Sequence, residues 1–413
     1  MELSDKKRSS MLILLCWMVY TCAYLGKYSY TANTLSIIAD YGITKGEAGV
    51  VGTLFFAAYG ISQVIHGFFC SRYPKKIVIF PAMAVSAVIN VVIYVGVPFD
   101  VLKVLWFING VAQSALWPTL LLTISQYVAR DQFKAAVLAM SSTVAVGTTF
   151  AYCGGALFVE FAGNYRLSFL TATVALVIVA CVWLFFFPRL TAAGPVPPAP
   201  APAPGAAPAP AGQASTASGV AIAIMVVFLG FCGVVDNLVK DGLNTWVPNI
   251  LNETYGLDVS ASMALTLSLS VIGVFGAAFA VALQKRIPDF TLLTGRLFAL
   301  ASLFIGGVLL LFRTPYWLPV VIAFGLLSLL MHSINNVSTS MMPLYLGSRV
   351  NAGMLAGVMN GACYLGSALS SYCLGAFADA YGWNGVFLLL LGCAVLPAVL
   401  SLPVWLLCRK KSA

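Results

Sequence analysis

The chain has 413 residues, 61% of them hydrophobic and 8% charged, with a mean hydropathy of +0.95. A soluble domain carries about 25% charged residues, so a soluble enzyme is excluded and a polytopic membrane protein is implied. The net charge of +9 divides among the loops and gives no sign of nucleic-acid binding.

About 20 apolar residues cross the hydrocarbon core of a bilayer. On that measure the sequence predicts an all-α membrane protein of twelve transmembrane helices: 11–37, 47–70, 77–97, 101–128, 135–160, 165–187, 219–250, 260–283, 290–312, 316–344, 351–378 and 384–408. The first run is too long for the apolar region of a cleavable leader and reads as the first span. It carries Lys27, at the end of Tyr24-Leu25-Gly26-Lys27, followed by Tyr28 and Tyr30. Span two carries Tyr59, Gln63 and His66, and the basic run Arg72 to Lys76 follows it. Span four carries Trp117. Gly163 and Asn164 are the only turn signal between spans five and six.

Residues 189–218 are almost entirely Ala, Pro, Gly, Ser and Thr. Such a stretch cannot bury a core and is expected to form an extended linker. It divides the chain into a first bundle, 1–188, and a second, 219–413. Span seven brings Asp236, Asn237, Lys240 and Asp241. Span ten brings His332, Asn335 and Asn336, and span eleven brings Asn360 and Tyr364.

With both termini inside, the inner segments hold 16 Lys and Arg and the outer loops hold Lys45, Lys103, Arg166 and Arg313. Lys27 and Lys240 complete the 22. That bias predicts cytoplasmic termini. The ten cysteines, among them Cys16, Cys70, Cys232 and Cys393, form no CxxC pair and read as small buried hydrophobes. Two histidines give no metal cluster. No Gly-rich phosphate loop ends in Lys-Ser/Thr, so ATP-driven transport has no basis and no cofactor is expected.

The two halves echo each other. Tyr24-Leu25-Gly26-Lys27 is matched by Asn237-Leu238-Val239-Lys240, and the approach to span five, from Arg130, is matched by the approach to span eleven, from Arg349. Matches in the same order suggest parallel six-helix repeats, with spans one and seven facing across a cavity. A lysine at bilayer depth costs about 3 kcal/mol on insertion scales and usually faces a polar pathway. Lys27 and Lys240 are therefore expected to bind an anionic group, unless they snorkel to the interface. Asp236 lies four residues before Lys240, within reach of an i,i+4 ion pair. It reads either as a structural partner or as a proton-coupling carboxylate, with Asp241 and His332 as further candidates. For His332, helix packing is the alternative. Tyr28, Tyr59, Gln63, Trp117, Asn237, Asn336 and Tyr364 complete the expected substrate-binding set. The glycines of spans five and eleven, such as Gly155, Gly357 and Gly361, either let the halves slide or serve static packing.

The chain resembles the major facilitator superfamily outside the linker, and within it the organophosphate:inorganic phosphate antiporters. The resemblance is carried by Tyr24 to Lys27, Ala58-Tyr59-Gly60-Ile61-Ser62, Leu116-Trp117-Pro118, Lys240 through Trp246-Val247-Pro248, Cys363-Tyr364-Leu365-Gly366, and Ala378-Asp379 through Gly382-Trp383. It implies two six-helix bundles, alternating access and exchange of a phosphate ester for phosphate in a bacterial inner membrane. Four positions depart from the family's pattern: lysine replaces arginine in spans one and seven, Gln63 replaces a lysine, and Val144 or a neighbour replaces a histidine. Lysine lacks the planar fork with which arginine grips phosphate. The expected partners are a small anionic solute, the bilayer, and protons or phosphate as the coupled ion, with no nucleic acid and a monomeric state. Proton-coupled symport of a carboxylate or sulfonate is one alternative, and a transporter-like membrane sensor is another.

Overall fold

The structure, a computed structural model, describes residues 5–69, 72–192, 194, 219–346 and 352–410. Apart from residues 189–192 and Gly194, the predicted linker lies outside the described residues. All regular structure among the described residues is helical.

The first bundle comprises α1 (Asp5–Ala32), the short α2 (Thr34–Tyr41), α3 (Lys45–Phe69), α4 (Lys75–Val95), α5 (Phe99–Ser114), α6 (Leu116–Tyr127), α7 (Phe133–Ala162) and α8 (Leu167–Thr191). The second comprises α9 (Gly219–Tyr255), α10 (Val259–Gly273), α11 (Gly276–Gln284), α12 (Phe290–Leu311), α13 (Trp317–Asn336), α14 (Met342–Tyr345) and α15 (Ala352–Lys410). Eleven helical stretches are long and apolar enough to cross a membrane, and the last of them runs for 53 residues. That length is enough for two crossings. It breaks at Gly382, whose φ of 66° and ψ of −179° are not helical, so α15 supplies spans eleven and twelve.

Several spans are interrupted where the apolar pattern gives no warning. Span one stops at Ala32 rather than Ile37, and Asn33 separates it from α2. Span four breaks at Ala115, three residues before Pro118, whose missing N–H cannot continue the hydrogen-bond ladder. Span eight breaks between α10 and α11. Span ten passes through a π turn, Val337–Met341, into α14. Between spans five and six, Gly163 ends α7 in the left-handed region at φ 59°, where glycine carries no Cβ penalty.

Each bundle has its own apolar core. Trp183 and Phe187 stack in the first with centroids 4.4 Å apart, and Phe324 and Phe387 stack in the second at 5.7 Å. The bundles meet mainly along two helix pairs, α3 with α15 and α7 with α10. In span numbers these are two with eleven and five with eight. Exchanging each member of the first pair for its counterpart in the other half, two for eight and eleven for five, gives the second, as a twofold axis between parallel repeats requires.

The α3–α15 contact is close at one end and parted at the other. A Cβ on Gly49 would stand 2.1 Å from the Ser371 carbonyl oxygen, and one on Gly60 would stand 2.9 Å from Tyr364 Cβ. Thr53 Oγ1 donates to the Ala368 carbonyl at 2.6 Å. Ser371, Ala368 and Tyr364 lie on one stripe of α15, which continues at helical spacing through Gly361 and Gly357. Those two glycines meet nothing within 4 Å. The bundles are thus sealed at the end opposite the chain termini and separate towards the termini. Of the glycines expected at the sliding surface, Gly155 does face the other bundle, with Met263 2.5 Å from its Cβ position. The tightest crossing between the bundles, however, belongs to Gly49 of α3.

Candidate functional site

The sealed end is held by a charged cluster. Thr44 and Glu47 start α3 with a reciprocal pair: Glu47 N–H donates to Thr44 Oγ1 at 3.1 Å, and Thr44 N–H donates to Glu47 Oε2 at 2.9 Å. This is a capping box. The next two backbone amides, of Lys45 and Gly46, donate across the bundle boundary to the Asp379 carboxylate at 3.3 and 2.7 Å. A carboxylate at a helix N-terminus is favoured by the exposed amides and the helix dipole. The Lys45 ammonium pairs with Asp379 at 3.4 Å and with Glu253 at 3.3 Å. Trp383 Nε1 donates to Glu253 at 2.9 Å. One cation of the first bundle thus bridges two carboxylates of the second.

Lys27 lies deeper, where Gly60 and Tyr364 cross. Its residue is 9% exposed, and its Nζ stands 4.9–5.7 Å from the centroids of six rings: Tyr24, Tyr28, Phe55, Phe56, Tyr59 and Tyr364. The ammonium has turned away from lipid into an aromatic collar. On α1, Tyr24 lies one turn before Lys27 and Tyr28 directly follows it. Phe55, Phe56 and Tyr59 come from α3, and Tyr364 comes from the other bundle. Each ring face attracts a cation by about 0.5–2 kcal/mol, more where water is excluded. Ring faces offset desolvation but accept no conventional hydrogen bond. Among the described residues no carboxylate pairs with Lys27 and no oxygen accepts from it, so its three N–H bonds are available to a bound anion.

Lys240 occupies a different environment. Its Nζ donates to Asn237 Oδ1 at 2.6 Å. The i,i+4 ion pair with Asp236 does not form, because the nearer amide takes the ammonium. Asp236 is wholly buried, and its Oδ2 accepts from Asn335 Nδ2 at 3.2 Å. Its Oδ1 has no partner. Asn335 also reaches Asn237 Oδ1 at 3.2 Å. Asn237 Nδ2 donates to Ser367 Oγ at 3.1 Å, and Ser367 Oγ donates to Asp241 Oδ2 at 2.5 Å. One network therefore joins both carboxylates and Lys240 across α9, α13 and α15. Asp241 and Lys240 are also the charged groups whose fields reach Lys27, which puts the collar and the network in one electrostatic unit.

The remaining predicted residues spread around this unit. Tyr28, Tyr59 and Tyr364 are part of the collar, and Asn237 is the hub of the network. Gln63 is half-buried one turn beyond Tyr59, towards the parted end. Asn336 is half-buried where α13 enters the π turn, a rare geometry frequent at functional sites. Trp117 packs on Tyr20 with ring centroids 4.8 Å apart, behind Tyr24. The His332 side chain fits against Gly273 and Gly276: a Cβ on Gly273 would stand 2.7 Å from its ring and one on Gly276 2.6 Å from its Cβ, and its Nδ1 lies 2.8 Å from the Ser328 carbonyl. These contacts pack it against α10 and α11. His66 Nδ1 lies 2.8 Å from Ser114 Oγ, within the first bundle.

Phe55, Phe56 and Ser367 were not legible as site residues. Phe55 and Phe56 lie one turn before Tyr59, and that i, i+3, i+4 spacing was the available signal. Tyr152 of α7 also crosses the boundary, donating its hydroxyl to the Asn244 carbonyl of α9. An apolar groove lined by Ile224, Val227, Phe228, Phe231, Leu400 and Val404 lies on the lipid-facing side of α9 and α15 and has no polar lining.

Residues 16–371 match the sequence profile of the Major Facilitator Superfamily. A probable hexose phosphate transport protein of Chlamydia muridarum (strain MoPn / Nigg) is 20% identical, over 94% of this chain and 88% of that protein. The membrane sensor protein UhpC of Escherichia coli (strain K12) is 22% identical over 95% and 91%, respectively. The glycerol-3-phosphate transporter of Bacillus subtilis (strain 168) is 21% identical over 92% and 90%. Among solved structures, a bacterial homologue of the human lysosomal transporter Spinster, inward-facing and unoccupied, superposes with a TM-score of 0.71, at 16% identity and 98% coverage of both chains. A bacterial homologue of the human drug peptide transporters PepT1 and PepT2 gives 0.74 at 12% identity, covering 98% of this chain and 99% of that one. These two share the fold alone. The chain belongs to the major facilitator superfamily, and within it resembles the organophosphate:inorganic phosphate antiporters.

Proposed function

We propose that this protein is a secondary active transporter that moves a small phosphate-bearing organic anion by alternating access, with inorganic phosphate as the exchanged solute. The observation that carries the reading is Lys27: a buried ammonium held only by ring faces, with all of its N–H bonds free for an anion. Lys240 offers a second ammonium beside it. Relatives named for hexose phosphate and glycerol 3-phosphate support the phosphate ester as cargo.

The collar includes Tyr364 of the opposite bundle, so an anion that draws Lys27 out of it acts on the contact between bundles. With the termini cytoplasmic, as the Lys/Arg count predicts, the parted end faces the cytoplasm and the Lys45–Asp379–Glu253 cluster closes the outside. The opposite state requires that cluster to open and the stripe through Gly361 and Gly357 to close.

Purified protein in liposomes loaded with phosphate tests this. Glycerol 3-phosphate or hexose 6-phosphate outside should enter in exchange for phosphate, and Lys27→Ala should lower the exchange by about 10-fold or more. Absence of exchange with either ester overturns the reading. A sensor is the second reading, favoured by the relative named as one. It predicts saturable binding of the same esters with no flux.

A further inference from the structure

Four side chains of opposite charge form one unit where the bundles meet. Lys27 and Lys240 contribute two positive charges and Asp236 and Asp241 two negative ones, so the fully ionised site sums to zero. Asp241 is the connecting group. It is 8% exposed and accepts from Ser367 at 2.5 Å. Its field reaches Lys27, Tyr24 and Tyr28 of α1, Tyr152 of α7, Lys240 of α9, His332 of α13, and Cys363 and Tyr364 of α15. Asp236 is wholly buried behind it, with Oδ1 unpartnered. That oxygen can carry a proton without losing a hydrogen bond.

We propose that the site takes its cargo in the singly charged form, and that Asp241 is the residue that sets this limit. The inference rests on the phosphate-ester transport proposed above and specifies the charge state. With Asp236 protonated, Lys27, Lys240 and Asp241 leave a net charge of +1, which one negative charge neutralises. With Asp236 ionised the site is already neutral. In both cases the second charge of a dianion meets the Asp241 carboxylate at bilayer depth, where like charges repel strongly and salt screens little. Lysines make the limit sharper, because neither supplies the paired donors with which arginine holds a dianionic phosphate. Exchange of one monoanion for another is then electroneutral.

Phosphate monoesters lose their second proton near pH 6, so the two charge forms can be weighed against each other by pH. The full chain in phosphate-loaded liposomes is offered glycerol 3-phosphate or glycerol 3-sulfate, the latter a monoanion throughout. Between about pH 5.5 and about pH 7.5 the monoanionic fraction of the phosphate ester falls about 25-fold. The half-saturating total concentration of glycerol 3-phosphate should rise about 20-fold over that range, while that of the sulfate ester should stay within about two-fold. In Asp241→Asn, which keeps an oxygen for Ser367, the rise should shrink to about three-fold or less. A phosphate ester that binds equally well or better at the higher pH overturns the proposal. So does an equal shift of both esters, or an unchanged rise in Asp241→Asn. If Asp241→Asn does not fold, the wild-type comparison of the two esters decides. Loss of all exchange, phosphate for phosphate included, would instead overturn the transport reading.

Discussion

Tyr59 of α3 and Tyr364 of α15 lie with ring centroids 4.8 Å apart, and the Lys27 ammonium stands 5.1 Å from the first ring and 5.7 Å from the second. One cation from α1 thus touches a contact made by two other helices, one in each bundle. The matched tetrads suggest that Lys27 and Lys240 are equivalent, whereas their surroundings are opposite: rings around Lys27, amides and carboxylates around Lys240.

That difference predicts opposite stability effects. Lys27→Met removes a buried charge that has no ionic partner and puts a thioether among six rings, a favourable contact. The melting temperature should rise by about 2–4 °C. Exchange should fall by about 10- to 100-fold, the worth of one hydrogen bond to a charged group. Lys240→Met removes the charged donor to Asn237 Oδ1 from a buried network that holds two carboxylates and should destabilise by about 1.5–3 kcal/mol, the worth of a hydrogen bond to a charged group. Thermal unfolding of both variants in detergent, beside exchange assays, checks this. Equal loss of stability in both would refute the asymmetry.

The number of crossings was legible because apolar runs of fixed length are required by the bilayer, whatever they pack against. Interruptions at Asn33, in the π turn after Asn336 and between α10 and α11 were not, since each keeps the run apolar while changing only the hydrogen-bond pattern. Lys27, Lys240, Asp236 and Asn237 stood out as polar groups at bilayer depth. Not all of their partners did: Ser367 lies more than a hundred residues away in sequence, and Phe55 and Phe56 look like ordinary lipid-facing or core residues. The Lys45–Asp379–Glu253 cluster was hidden for the same reason, because its three members come from three helices distant in sequence, α3, α15 and α9.

Asp40, beyond the end of span one, gives a prediction for pH. Hydrogen bonds from Arg166 at 2.8 Å and Tyr165 at 2.7 Å hold its carboxyl below the usual carboxylate range. A depressed folded value means that the stabilisation is complete above the unfolded value of about 3.9 and is lost as pH falls through the folded one. The group is well exposed, so the effect is small. Asp40→Asn should lower the melting temperature by about 1 °C at neutral pH, and the difference should vanish in strongly acidic buffer. A difference that grows on acidification contradicts the assignment.

Gly49 and Gly361 should respond to added side chains in contrary ways. At Gly49 even a Cβ would stand 2.1 Å from a backbone oxygen of Ser371, which cannot turn aside. Gly49→Val should therefore prevent the end opposite the termini from closing. A cysteine-reactive probe added on that side should label Ser371→Cys several-fold faster when Gly49→Val is also present. A Cβ on Gly361 meets nothing within 4 Å here, and Gly361→Val should leave that labelling unchanged. It should still slow exchange, because its stripe must close in the other half of the cycle. Unchanged labelling in the Gly49 variant would show that this contact is not the seal.

The sealed end also offers a direct lock. A Cβ on Gly46 would lie 3.3 Å from Ala376 Cβ, across the bundle boundary and beside Asp379. Disulfides have Cβ atoms about 3.8 Å apart, so a shift of a few tenths of an ångström suffices. The Gly46 amide keeps its bond to Asp379 when a side chain is added, since that bond uses only backbone. Gly46→Cys with Ala376→Cys should cross-link on mild oxidation, stop exchange, and recover it on reduction. The single variants control for the native cysteines, nine of which are free among the described residues. Adding Lys45→Ala removes the ammonium that holds Glu253 and Asp379, so the end should open more often and the cross-link should form about 5- to 10-fold more slowly, the effect of weakening a contact by about 1–1.4 kcal/mol. A cross-linked protein that still exchanges phosphate would mean that this end need not open during transport.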